Sequence, residues 1–202
     1  MNSIKPTALV AFLFGAAFAA GVVQAGDVKG KVSGAGLKSV ENVVVYLDAT
    51  AGKKFEAPTA HATMDQRNMR FVPHILVVSR GTTVEFKNSD QVAHNIYWPS
   101  IGGNKALRHN LTILSPDHTK MFQFDNPGSA QLLCNLHPEM AGFVFVAPTP
   151  YFALTSGDGT FTLTNVLPGS YTLKTWSEDG KTSTQSITVT DQTTNVDVAV
   201  KP

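Results

Sequence analysis

The sequence predicts an all-β protein built from small β-sandwiches. Three observations support this prediction: short segments alternate with a period of two residues, turn sequences separate them, and no segment keeps an amphipathic helical pattern for three turns. Residues 82–86 (TTVEF), 161–164 (FTLT) and 171–174 (YTLK) alternate in this way, as strands with one buried face do.

The predicted elements follow one another along the whole chain. Two early strands flank a glycine-rich turn at residues 34–36, and the β-branched run at 43–47 (VVVYL) is typical of a buried strand. Residues 149–202 hold about five short, Thr-rich strands. Turns are predicted at residues 88–90, 126–128, 157–159, 168–169 and 179–180.

The N-terminus has the pattern of a secretory signal peptide. Lys5 precedes an apolar stretch at residues 8–23, and residues 23–25 (VQA) fit the small-x-small cleavage rule. The alternative is an uncleaved membrane anchor, but the stretch is short for a span of ~20 residues and no basic cluster follows it. We expect residues 1–25 to be removed and the mature protein, without a membrane span, to be exported to the periplasm or beyond the cell.

The charge balance excludes several classes of function. The chain has 16 basic and 15 acidic residues, which gives no electrostatic footprint for nucleic acid or anionic lipid. The sequence also has no Ser-His-Asp arrangement, no phosphate-binding glycine loop and no plausible pair of catalytic carboxylates. We therefore expect neither nucleic-acid binding nor enzymatic catalysis. The sequence leaves the oligomeric state open.

The only cysteine, Cys134, begins the motif that carries chemistry. Cys134, His137 and Met140 place a thiolate, an imidazole and a thioether at i, i+3 and i+6, and His94 lies forty residues upstream. Thiolate and thioether suit Cu(I), imidazole suits both oxidation states, and two His, one Cys and a weak axial Met form a known electron-transfer copper site. The alternative, a small buried core cysteine, is common. We predict that one copper ion binds His94, Cys134, His137 and Met140.

Other potential ligands are interpreted differently. Glu139 lies inside the loop and is an alternative oxygen ligand, but alternation points its side chain away from the metal, toward the surface. Four further histidines share no tight spacing with another donor and are predicted to be surface or strand-edge residues: His61, His74, His109 and His118.

The central block, residues 57–148, resembles the cupredoxins, the small blue-copper proteins. The resemblance rests on residues 71–73 (FVP), on 81–88 (GTTVEFKN), on His94 followed by Asn95, and on the loop 134–140, which is similar to the short loop of amicyanin. It implies a Greek-key β-sandwich with one copper ion that cycles between Cu(I) and Cu(II).

The resemblance also implies roles around the metal. Asn95 is expected to direct its backbone N–H at the sulfur and to tie its side chain to the ligand loop. Pro138 restrains the loop, because its ring fixes φ and removes one N–H donor. A redox protein partner is expected to dock near His137.

Residues 26–56 and 149–202 resemble the regulatory-like or transthyretin-like sandwiches found beside carboxypeptidases. The motifs lie at residues 159–163 (GTFTL) and 167–173 (LPGSYTL), and the matching first strands lie far upstream. We therefore predict that the copper domain is inserted into a split second sandwich. The alternative is a plain tandem, with residues 27–49 belonging to the copper domain.

The favoured function is an exported mononuclear blue-copper protein that carries single electrons between redox partners. The main alternative is a periplasmic copper-binding module for storage or delivery. A catalytic copper protein and an adhesion-like structural protein are further hypotheses. The chain also resembles methylamine utilisation proteins, although no residue selects an amine dehydrogenase as the electron donor.

Overall fold

The structure is a computed structural model that describes residues 24–49 and 54–201. Within these ranges the regular structure is almost all β-strand, and the helical part is one 3-10 turn, Lys105–Leu107. The all-β prediction is therefore confirmed. The predicted signal peptide lies almost wholly outside the described residues, which exclude 1–23. In the described part of the chain, no helix has the length and apolar character needed to cross a membrane.

The strands of the described residues pair into four sheets. In chain order they are β1 Gly26–Ser33, β2 Val44–Ala49, β3 Ala62–Gln66, β4 Phe71–Val72, β5 Ile75–Ser79, β6 Thr82–Asn88, β7 His94–Trp98, β8 His109–Leu114, β9 Thr119–Phe124, β10 Gly128–Leu133, β11 Ala141–Ala147, β12 Phe152–Leu154, β13 Thr160–Val166, β14 Gly169–Trp176, β15 Thr182–Val189, β16 Thr194–Asn195 and β17 Val198–Ala199. We call β3–β11 the central unit, and β1, β2 and β12–β17 the flanking unit.

The central unit is a sandwich of two sheets. One sheet has the strand order β5-β11-β10-β7-β8, and the other has the order β4-β3-β6-β9. On β6 every second side chain is buried, as the period of two predicts. Val84 and Phe86 from β6 pack with Trp98, Phe124 and Leu132 in the core between the sheets. Full burial of each such side chain stabilises the fold by about 1.5–3 kcal/mol.

The flanking unit combines the earliest and the latest strands of the chain. β1 pairs with β13, β16 and β17, and β2 pairs with β12 and β14. Leu47 on β2 lies opposite Leu173 on β14, and both are buried in the core of this unit. The strands of the central unit thus lie, in sequence, between two parts of one sandwich. This pairing favours the split arrangement over the tandem, while the boundaries after residues 56 and 148 stay predictions.

A separate apolar cluster joins the two units. Phe145 on β11 lies between Tyr46 and Trp176 of the flanking unit, with ring centroids 5.0 and 5.3 Å apart. Phe143, two residues earlier on β11, also contacts Trp176. Phe143 and Phe145 lie on one face of β11, while Val144 faces the central core. The flanking unit therefore covers the outer face of this strand.

Candidate metal centre

Three neighbouring strands of the central unit bring the predicted ligands to one end of a sheet. β10 pairs with β7 on one side and with β11 on the other. His94 is the first residue of β7, Cys134 directly follows β10, and Met140 directly precedes β11. The loop between β10 and β11, which also carries His137, therefore closes over the start of β7.

The side chains of His94, Cys134 and His137 converge in this loop. Nδ1 of His94 lies 3.0 Å from Nδ1 of His137, and that nitrogen lies 3.8 Å from Sγ of Cys134. The three ligand atoms all lie within 4.8 Å of one another. Cys134 and His94 are buried, whereas His137 is partly exposed. A metal ion with bonds to nitrogen of about 2 Å can contact two nitrogens at this spacing.

The buried ring of His94 is oriented by a carboxylate that the sequence interpretation missed. Nε2 of His94 lies 2.9 Å from Oδ2 of Asp90, and a carboxylate only accepts, so Nε2 carries the proton. Nδ1 of His94 is then the nitrogen that offers a lone pair toward His137. The sequence did contain a signal for this contact, because Asp90 lies four residues before His94, but residues 88–90 were interpreted only as a turn.

Asp90 is itself fixed by the turn that joins β3 to β4. Asn68 and Met69 both have positive φ, 53° and 59°, as the central residues of a type I′ turn do. Their backbone N–H groups donate to Asp90 over 2.6 and 3.0 Å. Burial alone would raise the pKa of Asp90, but the hydrogen bonds from Met69, His94 and Asn68 outweigh it and lower the pKa.

The sulfur of Cys134 has one backbone donor. The N–H of Asn95 donates to Sγ over 3.3 Å, a contact that stabilises a thiolate more than a thiol. Oδ1 of Asn95 accepts from the N–H of Asn135 over 3.4 Å, and Nδ2 donates to Oδ1 of Asn110 over 3.0 Å. Asn95 thus contacts both the sulfur of Cys134 and the backbone of the ligand loop. Asn110 is a further member of this network that the sequence interpretation did not select.

The remaining loop residues occupy two different environments. Met140 is buried in the same apolar cluster as Cys134, and its N–H donates to the carbonyl oxygen of His137 over 3.0 Å. Pro138 and Glu139 form the exposed turn between them. Glu139 is therefore at the surface and outside the cluster of His94, Cys134 and His137.

The other four histidines lie elsewhere, and each of them is exposed. His74 contacts Glu178 of the flanking unit, His109 packs on Trp98, and His118 contacts the carbonyl oxygen of Pro116. His61 is exposed near the start of β3. Among the described residues, none of the four belongs to a group of three potential metal ligands.

The donor set fits copper. The cluster offers one thiolate and two imidazoles, with a thioether directly before β11, and this mixture of soft and borderline donors is the one copper prefers. Residues 58–147 match the family model of copper binding proteins, plastocyanin/azurin family. The central unit is a cupredoxin. Its cluster of His94, Cys134 and His137 fits a single copper ion.

The flanking unit has a family match of its own. Residues 149–196 match the family model of polysaccharide lyase family 4, domain II. The prediction of a second β-sandwich beside the cupredoxin is confirmed. The matching model differs from the carboxypeptidase regulatory-like domains that the sequence resembled, and the curated proteins contain no match to this chain.

Solved structures that match this chain include several cupredoxins. Amicyanin from Paracoccus versutus is 21% identical; the match covers 45% of this chain and 85% of amicyanin, with a TM-score of 0.39. A purple cupredoxin from Nitrosopumilus maritimus is 26% identical over 43% of this chain and 99% of its own, with a TM-score of 0.39. A copper-containing nitrite reductase from Thermus scotoductus is 22% identical over 57% of this chain and 28% of its own, with a TM-score of 0.40.

Proposed function

We propose that this protein is an exported carrier of single electrons that binds one copper ion through His94, Cys134, His137 and Met140. When bound, copper supplies reversible one-electron chemistry between Cu(I) and Cu(II). The observation that carries the proposal is the cluster of three ligand atoms within 4.8 Å, two of whose residues are buried. A free thiol in an exported protein is prone to oxidation, and binding to a metal ion would protect Cys134 from it.

The protein contributes rigidity to this chemistry. Asp90 fixes the ring of His94, Asn95 directs its N–H at the sulfur, and Pro138 restricts the ligand loop. Side chains held in this way move little when the metal charge changes, so little energy is spent on rearrangement. With Met140 as the fourth ligand the site has no open position for a substrate, and we assign no catalytic residue.

We propose that a redox protein partner docks around His137. This imidazole is partly exposed, and an apolar side chain close to each histidine in sequence reaches into solvent: Leu136, which precedes His137, is 48% exposed, and Val92, two residues before His94, is 46% exposed. An apolar rim is easily dehydrated on contact, so it allows close approach of a second redox centre. The N-terminal residues 1–25 would export the chain to the periplasm or beyond the cell, where such a partner would be met.

The test is optical and EPR spectroscopy of the copper-loaded protein. We expect intense absorption toward the red end of the visible range and a narrow parallel hyperfine splitting, because both reflect covalent copper–thiolate bonding. Cys134→Ser should abolish the absorption. Met140→Leu should shift the spectrum and the reduction potential, whereas the matched control Met121→Leu changes a methionine that is 55% exposed and should alter neither.

A second measurement separates electron transfer from copper handling. NMR line broadening in mixtures of the reduced and oxidised protein gives the rate of electron self-exchange. Fast exchange supports the proposal. A tetragonal copper spectrum with slow exchange would instead indicate a module for copper storage or delivery, and an unchanged spectrum in Cys134→Ser would refute the ligand set.

A further inference from the structure

A shallow groove lies along the edge strand β8 of the cupredoxin, at the end of β7 away from His94. The groove has a volume of about 490 Å³ and lies over the end of β7, the 3-10 turn and the start of β8. The lining side chains that matter here are Tyr97, Trp98, Lys105, Arg108, His109 and Asn110. The apolar rim described above lies near His94, at the other end of β7, which is about 13 Å away at ~3.3 Å per residue, so a single protein partner can cover both surfaces.

The charge of this groove is positive. Lys105 and Arg108 are exposed, and within the described ranges neither forms an ion pair. Between Asp90 and Asp117 the sequence contains no acidic residue. The ammonium group of Lys120 binds the edge of β8 through the carbonyl oxygens of residues 111 and 113 and the hydroxyl of residue 112, which extends the positive charge along this strand. The lining of the groove thus carries two cations and no carboxylate, in a chain whose basic and acidic residues nearly balance.

The groove is built on a rigid base. The indole N–H of Trp98 donates to the carbonyl oxygen of Leu107 over 3.2 Å and so ties the 3-10 turn to β7. The ring of Trp98 packs on His109 with centroids 5.3 Å apart, and Asn104 caps the turn through the N–H of Ala106. Lys105 is the first residue of this turn and Arg108 directly follows it, so both cations lie on a segment that is fixed at both ends. Cations on such a support lose little backbone freedom when a partner binds.

Short contacts link the groove to the sulfur ligand. Asn110 in the groove accepts a hydrogen bond from Asn95, and Asn95 donates its backbone N–H to Cys134. Tyr97, which lines the groove, pairs across the sheet with Leu133, the residue before Cys134. A partner in the groove would therefore be separated from the sulfur by little more than one strand.

We propose that this groove is the docking face for an acidic one-electron redox protein. The inference rests on the proposed electron-transfer function and names the kind of partner. Carboxylates of the partner would pair with Lys105 and Arg108, while Leu136 and Val92 make the close apolar contact. Trp98 is 1% exposed and offers no face on which a nucleic-acid base could stack. One electron passes between the partner and copper, and no bond forms or breaks.

The experiment uses cytochrome b5, a small acidic haem protein, as the probe. The double variant Lys105→Ala/Arg108→Ala removes two charges from the groove, and Lys38→Ala/Lys201→Ala removes two exposed charges from the flanking unit. Binding to the metal-free protein is followed by NMR shifts of backbone amides at low salt. We expect the groove variant to raise Kd about tenfold and the control to change it less than about twofold, because complementary charges chiefly steer and orient association. The shifted amides should include those of residues 97 and 108–110.

The rate of copper reduction gives a second readout. At low ionic strength the groove variant should be reduced by cytochrome b5 about tenfold more slowly, and the difference should shrink to under twofold near 0.5 M salt, where charges are screened. Equal Kd values and rates for the two double variants would overturn the proposal. The proposal would also be overturned if the groove variant lost binding to phosphatidylserine vesicles while its Kd for cytochrome b5 stayed unchanged.

A neutral reagent distinguishes this proposal from the function on which it rests. Ferrocenemethanol in its reduced form is uncharged and should pass one electron to Cu(II) in both double variants and in the natural protein at equal rates. If the natural protein exchanges electrons with neither reagent, the electron-transfer function itself fails. If it exchanges electrons with both but the groove variant behaves like its control, only the docking face fails.

Discussion

Replacing Asp90 by asparagine tests whether the carboxylate sets the metal-binding form of His94. Oδ1 of Asp90 accepts from Asn68, and Oδ2 accepts from Met69 and from Nε2 of His94. An asparagine keeps one of these oxygens and replaces the other by an NH₂ group, which only donates. If that group faces His94, Nε2 must become an acceptor, and the ring proton moves to Nδ1, the nitrogen that faces His137.

The expected magnitude follows from the contacts that are lost. A hydrogen bond to a charged group contributes about 1.5–3 kcal/mol, and a buried donor left without a partner costs about 1–3 kcal/mol. His94 has no exposed surface and cannot turn to water. We therefore expect Asp90→Asn to lower the free energy of unfolding of the metal-free protein by ~2 kcal/mol. Copper affinity should fall by about 10- to 100-fold, the usual effect of losing a partner that orients a histidine ligand.

Three measurements check this prediction. Urea unfolding gives the stability, competition with a chromophoric chelator gives the copper affinity, and long-range nitrogen–proton NMR spectra identify the protonated nitrogen of His94. Asp125→Asn is the control, since it removes an exposed carboxylate for which the described residues show no polar contact. The reasoning is refuted if Asp90→Asn keeps the proton on Nε2 and binds copper within about twofold of the natural protein.

Two further predictions concern stability. Gln66 is fully buried, and within the described residues its Oε1 and Nε2 have no hydrogen-bond partner. Replacing it by methionine should therefore raise the free energy of unfolding by about 1–2 kcal/mol, measured by urea unfolding. A lower free energy of unfolding in Gln66→Met would show that the amide is hydrogen-bonded in solution. The hydroxyls of Ser156 and Thr160 and the N–H of Thr160 lower the pKa of Asp158 to about 2. Because this pKa lies below the unfolded value, Asp158 stabilises the fold above about pH 4, and its contribution is lost as the pH falls toward 2. An NMR titration of its carboxyl carbon should show a midpoint near 2, and a midpoint near 3.8 would contradict the geometry.

Local periodicity predicted much of the fold. The alternation in residues 82–86 and 171–174 corresponds to β6 and β14, where buried and less buried side chains alternate as a half-buried strand requires. β11 shows where periodicity stops being informative. Phe143 and Phe145 alternate with Val144 and would be assigned to a solvent-facing side, yet the flanking unit covers them. Packing of one unit on another depends on distant residues, which no local pattern contains.

The metal cluster was predictable for a different reason. Cys134 and His137 lie on one loop, so their spacing alone limits their distance, and a resemblance to cupredoxins supplied His94. Asp90 was not predictable in this way. Its role depends on a turn between β3 and β4 that brings two N–H groups to the same carboxylate, and sequence spacing gives no measure of that approach. The positive groove was missed for the same reason, because Trp98 and Leu107 fix its loop through a contact across nine residues.

The contact between the two units limits how a redox partner can reach the copper. Trp176 and Tyr46 pack against Phe145 on the outer face of β11, so that side of the cupredoxin sheet is occupied by its own chain. The edge strand of the same sheet, β8, follows Lys105 and Arg108, which lie beside the groove, are exposed and form no ion pair with the described residues. The loop end carries the partly exposed ring of His137 and the exposed side chain of Leu136. An acidic partner approaching along β8 would therefore be attracted first by Lys105 and Arg108 and would then contact the apolar rim of Leu136 and Val92. The flanking unit would not block this approach.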